Sequence, residues 1–234
     1  MQRIVVLNPK GGSGKTTIAI NLASHFAAHG ERTVLMDYDP QGSATRWAGK
    51  RHAPQPAIDL IRAYERDART TRAFQLRLPQ DTDHVIVDTP AALEAQTFPE
   101  LTRQADKILV PVLPSDIDIH ACSRCVANLL LVAKVRRDDH RLGIIANRVR
   151  RNTRIYEALM RFLGTLDIPI VATLRDSQNY VRGAEFGLGL AEMKSYQVEE
   201  DLAQWQPLLE WLQVPSARPQ PAAPLPAYAA VPGF

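Results

Sequence analysis

Little in this sequence points to a disulfide scaffold, a metal cluster or a membrane. Of its 234 residues two are cysteines, Cys122 and Cys125, and they form a lone C-x-x-C in "HACSRC". A tetrahedral zinc or iron–sulfur site needs four ligands, and no second pair accompanies this one, so both are read as small residues on a helix. No apolar run approaches the ~18 residues that a bilayer span needs. Nor does a basic flank with a cleavable apolar stretch precede "RIVVL", which predicts no signal peptide and a cytoplasmic protein. Charge is unevenly spread. Between Lys134 and Arg154 eight basic residues face Asp138 and Asp139, a local +6 in a chain whose net charge is +3. That asymmetry invites a polyanion.

What is present reads as one α/β domain. Short Val- and Ile-rich runs recur at 3–7, 33–36, 84–88, 107–112, 142–146 and 168–172, the pattern of buried strands in a parallel sheet. Helical patterns lie between them, the clearest placing Ile18, Leu22 and Phe26 on one face and stopping before Gly30. The expected fold is a single-domain, layered P-loop architecture with a mostly parallel sheet flanked by helices. The folded domain is expected over 1–213. Residues 214–234 hold six prolines and one charge, which predicts an extended or disordered tail, because proline removes backbone donors and breaks helices.

The stretch "NPKGGSGKTT", Asn8 to Thr17, nearly spells the phosphate-binding pattern G-x-x-x-x-G-K-[ST]. Pro9 stands where the first glycine belongs, and Lys10 sits beside it. Strand, loop and helix follow one another as that motif requires. Gly11, Gly12 and Gly14 let backbone N–H groups turn inward around phosphate oxygens at a helix N-terminus. Lys15 is placed to reach the β- and γ-phosphates and the Thr16 hydroxyl to ligate Mg²⁺.

"KGGSGKTT" resembles the deviant Walker A motif of the ParA/MinD superfamily, K-G-G-x-G-K-[ST]. The resemblance covers residues 3–195 and resolves the oddity at Pro9. It implies that Lys10 crosses a sandwich dimer to touch the phosphates of the partner's ATP, which makes nucleotide binding and dimerisation one event. It implies nucleotide contacts along the loop from Lys10 through Ser13 to Thr17, and catalytic roles for Lys10, Lys15 and Asp39. In "MDYDPQGSATRW" it puts Asp37 near Mg²⁺ and makes Asp39 the residue that positions the attacking water, although "DPQG" is also a good type I turn. In "HVIVDTPA" it makes Asp88 a Walker B residue that holds Mg²⁺ through water. "VPVLPSDIDI" resembles a dimer-interface segment, in which Ser115 also suits a helix cap, and Asn147 falls where the family contacts adenine.

The implied cycle is slow ATP hydrolysis serving as a timer. An ATP-bound homodimer binds non-specific DNA, and a ParB-like or other adaptor stimulates hydrolysis to release it, which locates the protein on the nucleoid and off the membrane. Arg148, Arg150, Arg151 and Arg154 crowd one basic segment, and the resemblance adds Arg175 and Arg182 as DNA contacts. The first strand starts at residue 3, so the N-terminal DNA-reading domain of the family's long members is not expected. A biosynthetic P-loop amide ligase is the main alternative, though it has little use for Lys10 or the arginines. A membrane-cycling MinD-like positioner needs an amphipathic C-terminal helix, which the proline-rich tail does not supply. A relative of the nitrogenase iron protein needs cysteines at the dimer axis, and a tyrosine kinase a tyrosine cluster where the tail has only Tyr228.

Overall fold

The structure, a computed structural model, describes residues 1–65, 71–93 and 97–216. From residue 217 onward the proline-rich tail, Tyr228 included, lies outside the described residues. Along the chain run β1 (Gln2–Val6), α1 (Lys15–Ala28), β2 (Thr33–Asp37), α2 (Ser43–Ala48), β3 (Asp59–Arg62), α3 (Arg72–Gln75), β4 (His84–Asp88) and α4 (Thr97–Gln104). They are followed by β5 (Lys107–Val112), α5 (Asp116–Leu131), β6 (Leu142–Val149), α6 (Arg154–Gly164), β7 (Ile170–Arg175), α7 (Gln178–Glu185) and α8 (Ser195–Gln213). The seven strands form one sheet in the order β3-β2-β4-β1-β5-β6-β7, and every pairing is parallel.

Six strands fall on the apolar runs of the sequence because both faces of this sheet are covered. Val5 and Leu7 point into the layer of α5 and α6 with Val110, Leu129 and Leu159. Ile4 and Val6 point into the layer of α1 and α8 with Ile18, Leu22, Trp205 and Leu208. The predicted face of α1 is buried at Ile18, Leu22 and Phe26, and Gly30 closes the helix at φ 83°, where its N–H reaches the Ala27 carbonyl at 3.0 Å.

One strand was not expected. β3 sits at the sheet edge with its residues half-buried or exposed, so "DLIR" lacks the continuous apolar run that marks the inner strands. β7 begins two residues later than its run suggested, after Pro169, and β6 continues to Val149 past the apolar stretch. Cys122 and Cys125 pack in the core, and burial pushes the Cys122 thiol up to about 12 and that of Cys125 higher. Among the described residues, no helix is long and apolar enough to cross a membrane.

β1 positions the site. It lies between β4 and β5, and the strand order runs outward from it in both directions. In open parallel sheets the crevice beyond the strand ends at such a reversal is where ligands bind.

Candidate active site

The loop leaving β1 is tied down by a residue that the sequence reading did not single out. Asn8 is buried. Its side-chain amide donates to the Pro111 carbonyl at 2.7 Å, and its oxygen accepts from the Lys10 N–H at 2.8 Å. A polar residue ending an apolar strand just before the loop was the available signal. Gly12 and Gly14 adopt φ values of 78° and 94°, in the left-handed region that costs other residues about 1–2 kcal/mol. At Gly14 a second constraint applies: an added Cβ would lie 2.2 Å from the Asn147 amide nitrogen. That amide donates to the Ser13 carbonyl at 2.9 Å, so Asn147 comes from β6 to brace the loop from beneath.

Lys15 opens α1 and is nearly buried. Its ammonium donates to the Lys10 carbonyl at 3.1 Å, so the loop curls around it. Burial lowers its pKa, while the nearby Asp88 and Asp39 charges oppose that shift. Next to it, the Thr16 hydroxyl donates to Asp88 Oδ2 at 2.7 Å. Asp88 is completely buried at the end of β4 and its Oδ1 has no hydrogen-bond partner. Burial raises its pKa to about 7, against the pull of the Thr16 hydroxyl. Asp37 ends β2 beside it, since the two pair across the ladder. One Asp37 oxygen accepts from the N–H and hydroxyl of Thr45 at 2.9 and 2.8 Å, and the other accepts from the Asp39 N–H at 3.0 Å. Burial raises the pKa of Asp37 too. The turn read in "DPQG" is present, with the Gly42 N–H on the Asp39 carbonyl at 2.8 Å, yet Asp39 also faces the cleft.

These oxygens suit Mg²⁺, a hard cation that prefers carboxylate, hydroxyl, water and phosphate ligands. The buried, unpartnered Asp88 Oδ1 and the Thr16 hydroxyl beside it are the specific fit. Among the described residues, no three His, Cys, Asp or Glu side chains converge to cage a metal unaided. An ion here would therefore share its coordination with water and phosphate.

A cleft of about 690 Å³ opens over the loop. Gly11, Gly12, Gly14, Lys15, Thr16, Thr17, Asp39 and Asn147 line it, together with Arg46, Arg148 and Asp176. Ser13 is buried beneath, and its hydroxyl has no partner. Lys10 is not part of this lining. Its ammonium turns to α5 and lies 3.5 Å from the buried carboxylate of Asp118. Ser115 caps that helix as expected, accepting from the Asp118 N–H at 3.1 Å.

The basic segment does not form one patch. β6 spans Leu142–Val149, about 25 Å at ~3.3 Å per residue, so its flanking arginines lie at opposite ends of the sheet. At the far end Arg136 pairs with Asp138, and Arg141 is buried with its guanidinium on the Thr102 and Ala105 carbonyls. At the cleft end Arg148, Arg150, Arg151 and Arg154 are exposed. Asp176 holds two of them, with Arg148 at 3.0 Å and Arg150 at 3.7 Å. Arg182 is exposed on α7. Arg175 is engaged instead, bonded to Glu200 and, at 2.6 Å, to the fully buried Asp201. Burial alone would raise the pKa of Asp201, but donors from Arg175, Asn179 and Ser177 hold it below the usual range.

Comparisons with known proteins agree with this geometry. Residues 4–190 match the model of the CobQ/CobB/MinD/ParA nucleotide binding domain. A relative in Gloeobacter kilaueensis, maintenance of carboxysome distribution protein A, is 32% identical over 210 residues, covering 89% of this chain and 93% of that protein. The chromosome-partitioning ATPase Soj of Thermus thermophilus is 36% identical over 125 residues, 49% of this chain and 47% of that one. In fold, the chain is similar to the MinD cell division protein of Aquifex aeolicus, with a TM-score of 0.69 at 19% identity over 93% of this chain and 100% of the other.

Proposed function

The chain belongs to the CobQ/CobB/MinD/ParA nucleotide-binding family and is an ATPase of ParA/MinD type, and on that premise we propose that ATP joins two copies into a dimer that binds DNA without sequence preference until an adaptor protein stimulates hydrolysis. The observation that carries this reading is Lys10. A lysine added to a phosphate loop but turned out of that loop's own cleft, toward Asp118, suits contact with phosphates held by a second copy.

The chain's own residues supply the rest. Backbone N–H groups of Gly11 to Gly14 and the Lys15 ammonium hold the β- and γ-phosphates, with Thr17 and Ser13 along the same loop and Asn147 toward adenine. Asp39, at the cleft rim, orients the attacking water. Mg²⁺, held by Thr16 and through water by Asp88 with Asp37 close by, would neutralise charge developing on the γ-phosphate. The exposed Arg148, Arg150, Arg151, Arg154 and Arg182 provide sequence-independent phosphate contacts, and Arg175 contributes only where its acidic partners release it. DNA contact puts the protein on the nucleoid. The relatives named for carboxysome distribution and chromosome partitioning support a positioning role, with the cargo, a DNA element or a protein assembly, chosen by a ParB-like or other adaptor.

Analytical sedimentation of Lys10→Ala tests the reading. Nucleotide should still bind through Lys15, while the ATP-dependent dimer and hydrolysis should both be lost. A normal ATP dimer in that variant would overturn it.

A further inference from the structure

Arg46 belongs to the "MDYDPQGSATRW" segment, in which the resemblance gives roles only to Asp37 and Asp39, yet it lines the phosphate cleft with Lys15, Gly12 and Asp39. It sits on α2, one turn beyond the Asp39–Gly42 turn. Its guanidinium donates to the Gln41 carbonyl and, at 3.0 Å, to the Ser43 hydroxyl. Both acceptors are neutral. The other cations that line the cleft each have an acidic neighbour: Arg148 has Asp176 at 3.0 Å, and Lys15 feels Asp88 and Asp39. No carboxylate pairs with Arg46 among the described residues. It is also exposed, so its five donors are only partly used and its side chain can swing without breaking an ion pair. A guanidinium fork that lines an anion-binding cleft matches a bidentate phosphate contact.

We propose that Arg46 is a second phosphate-binding cation beside Lys15 in the cleft lining, which leaves Gln41 and Ser43 to grip the phosphate chain of the nucleotide from α2. This deepens the ATPase reading and rests on it. The same movement would pull on the turn that carries Asp39, because Arg46 now braces the Gln41 carbonyl within that turn.

Titrations of a fluorescent ATP analogue, a fluorescent ADP analogue and unlabelled adenosine as competitor, with Arg46→Ala, Arg46→Lys and Arg46→Gln, test the assignment. Loss of a charge-assisted contact should weaken ATP binding by on the order of 10–100-fold in Arg46→Ala, with partial recovery in Arg46→Lys and none in Arg46→Gln. Adenosine competition should not change. A loss confined to ATP assigns the contact to the terminal phosphate, and an equal loss with ADP assigns it to the inner phosphates. Urea unfolding distinguishes a mere brace: a phosphate contact leaves the ligand-free midpoint of Arg46→Ala near wild type. ATP affinity within twofold of wild type, or equal recovery in Arg46→Gln and Arg46→Lys, overturns the proposal while leaving the ATPase reading intact. Wild-type protein that binds neither analogue overturns both.

Discussion

Replacing Asp88 by Asn should make the ligand-free protein more stable at pH 8 while abolishing the Mg²⁺ binding proposed for that carboxylate. Asp88 has no exposed surface, one oxygen holds only the Thr16 hydroxyl, and the other has no partner. A carboxylate in that setting prefers its proton, and burial lifts its pKa from 3.8 to about 7. Between those values the native state binds more protons than the unfolded chain, so stability falls as pH rises from about 4 to 7 and is level above. At ~1.4 kcal/mol per pKa unit, the rise corresponds to a ceiling of about 4 kcal/mol. Asn keeps an acceptor for Thr16 and carries no charge. Its NH₂ then meets the unpartnered position, which costs about 1 kcal/mol or more. Urea denaturation without nucleotide and with a chelator should therefore show Asp88→Asn more stable than wild type by roughly 1–3 kcal/mol at pH 8, and within ~1 kcal/mol of it at pH 5, where wild-type Asp88 is already neutral. A difference independent of pH, or a variant less stable at pH 8, would refute the reasoning. In wild type the same proton competes with Mg²⁺, so Mg²⁺ affinity should weaken as pH drops through 7.

The two loop glycines with positive φ should respond differently. Gly14→Ala should cost about 2–3 kcal/mol in thermal or urea unfolding, combining the left-handed backbone with displacement of Asn147 from Ser13. Gly12→Ala meets nothing within 4 Å and should cost only the backbone term of about 1–2 kcal/mol; equal costs would count against the close approach at Gly14. For DNA, Arg182→Glu should weaken ATP-dependent binding to unrelated duplexes by fluorescence anisotropy and leave basal ATP turnover unchanged. Wild-type affinity should fall steeply with salt, by ~0.9 in log K per log salt for each phosphate neutralised. Indifference to DNA with ATP, with ADP and without nucleotide would favour the amide-ligase alternative.

The fold was legible where burial leaves its mark on composition. Strands covered on both faces must be apolar along their length, so six of them stood out. β3, at the edge with its residues half-buried or exposed, follows no such rule. The phosphate loop was legible because glycine and lysine have specific backbone and charge roles there. Asn8 and Arg46 were not, since one acts by bracing the loop from Pro111 and the other reaches the cleft from a neighbouring element. Sequence spacing carries neither relation. The +6 segment shows the opposite error. A charge count treats Arg141 and Arg148 as neighbours, but six residues of β6 separate them and one is buried. Arg175 likewise looks like a free cation in sequence, and only packing against α8 reveals Asp201 beneath it.

Unpartnered buried polar atoms gather where the chemistry is proposed. Five such side-chain atoms occur among the described residues, and three of them, Ser13 Oγ, Asp88 Oδ1 and Asp118 Oδ1, belong to the loop or to acids beside it. Each buried orphan costs about 1–3 kcal/mol, a burden that a sequence selected for stability alone would shed. Lys15 adds to it as a nearly buried ammonium whose pKa burial lowers. Phosphates and their cation offer Ser13, Lys15 and Asp88 what they lack, partners of complementary charge beside a cleft already shaped for them, while Asp118 lies away from that cleft beside Lys10. Ligand binding should therefore relieve local strain as well as form contacts, so stabilisation by Mg²⁺ and ATP together should exceed the sum of their separate effects. Thermal shifts with each alone and with both measure that coupling, and simple additivity would mean that the orphaned oxygens are satisfied by water rather than held for the ligand.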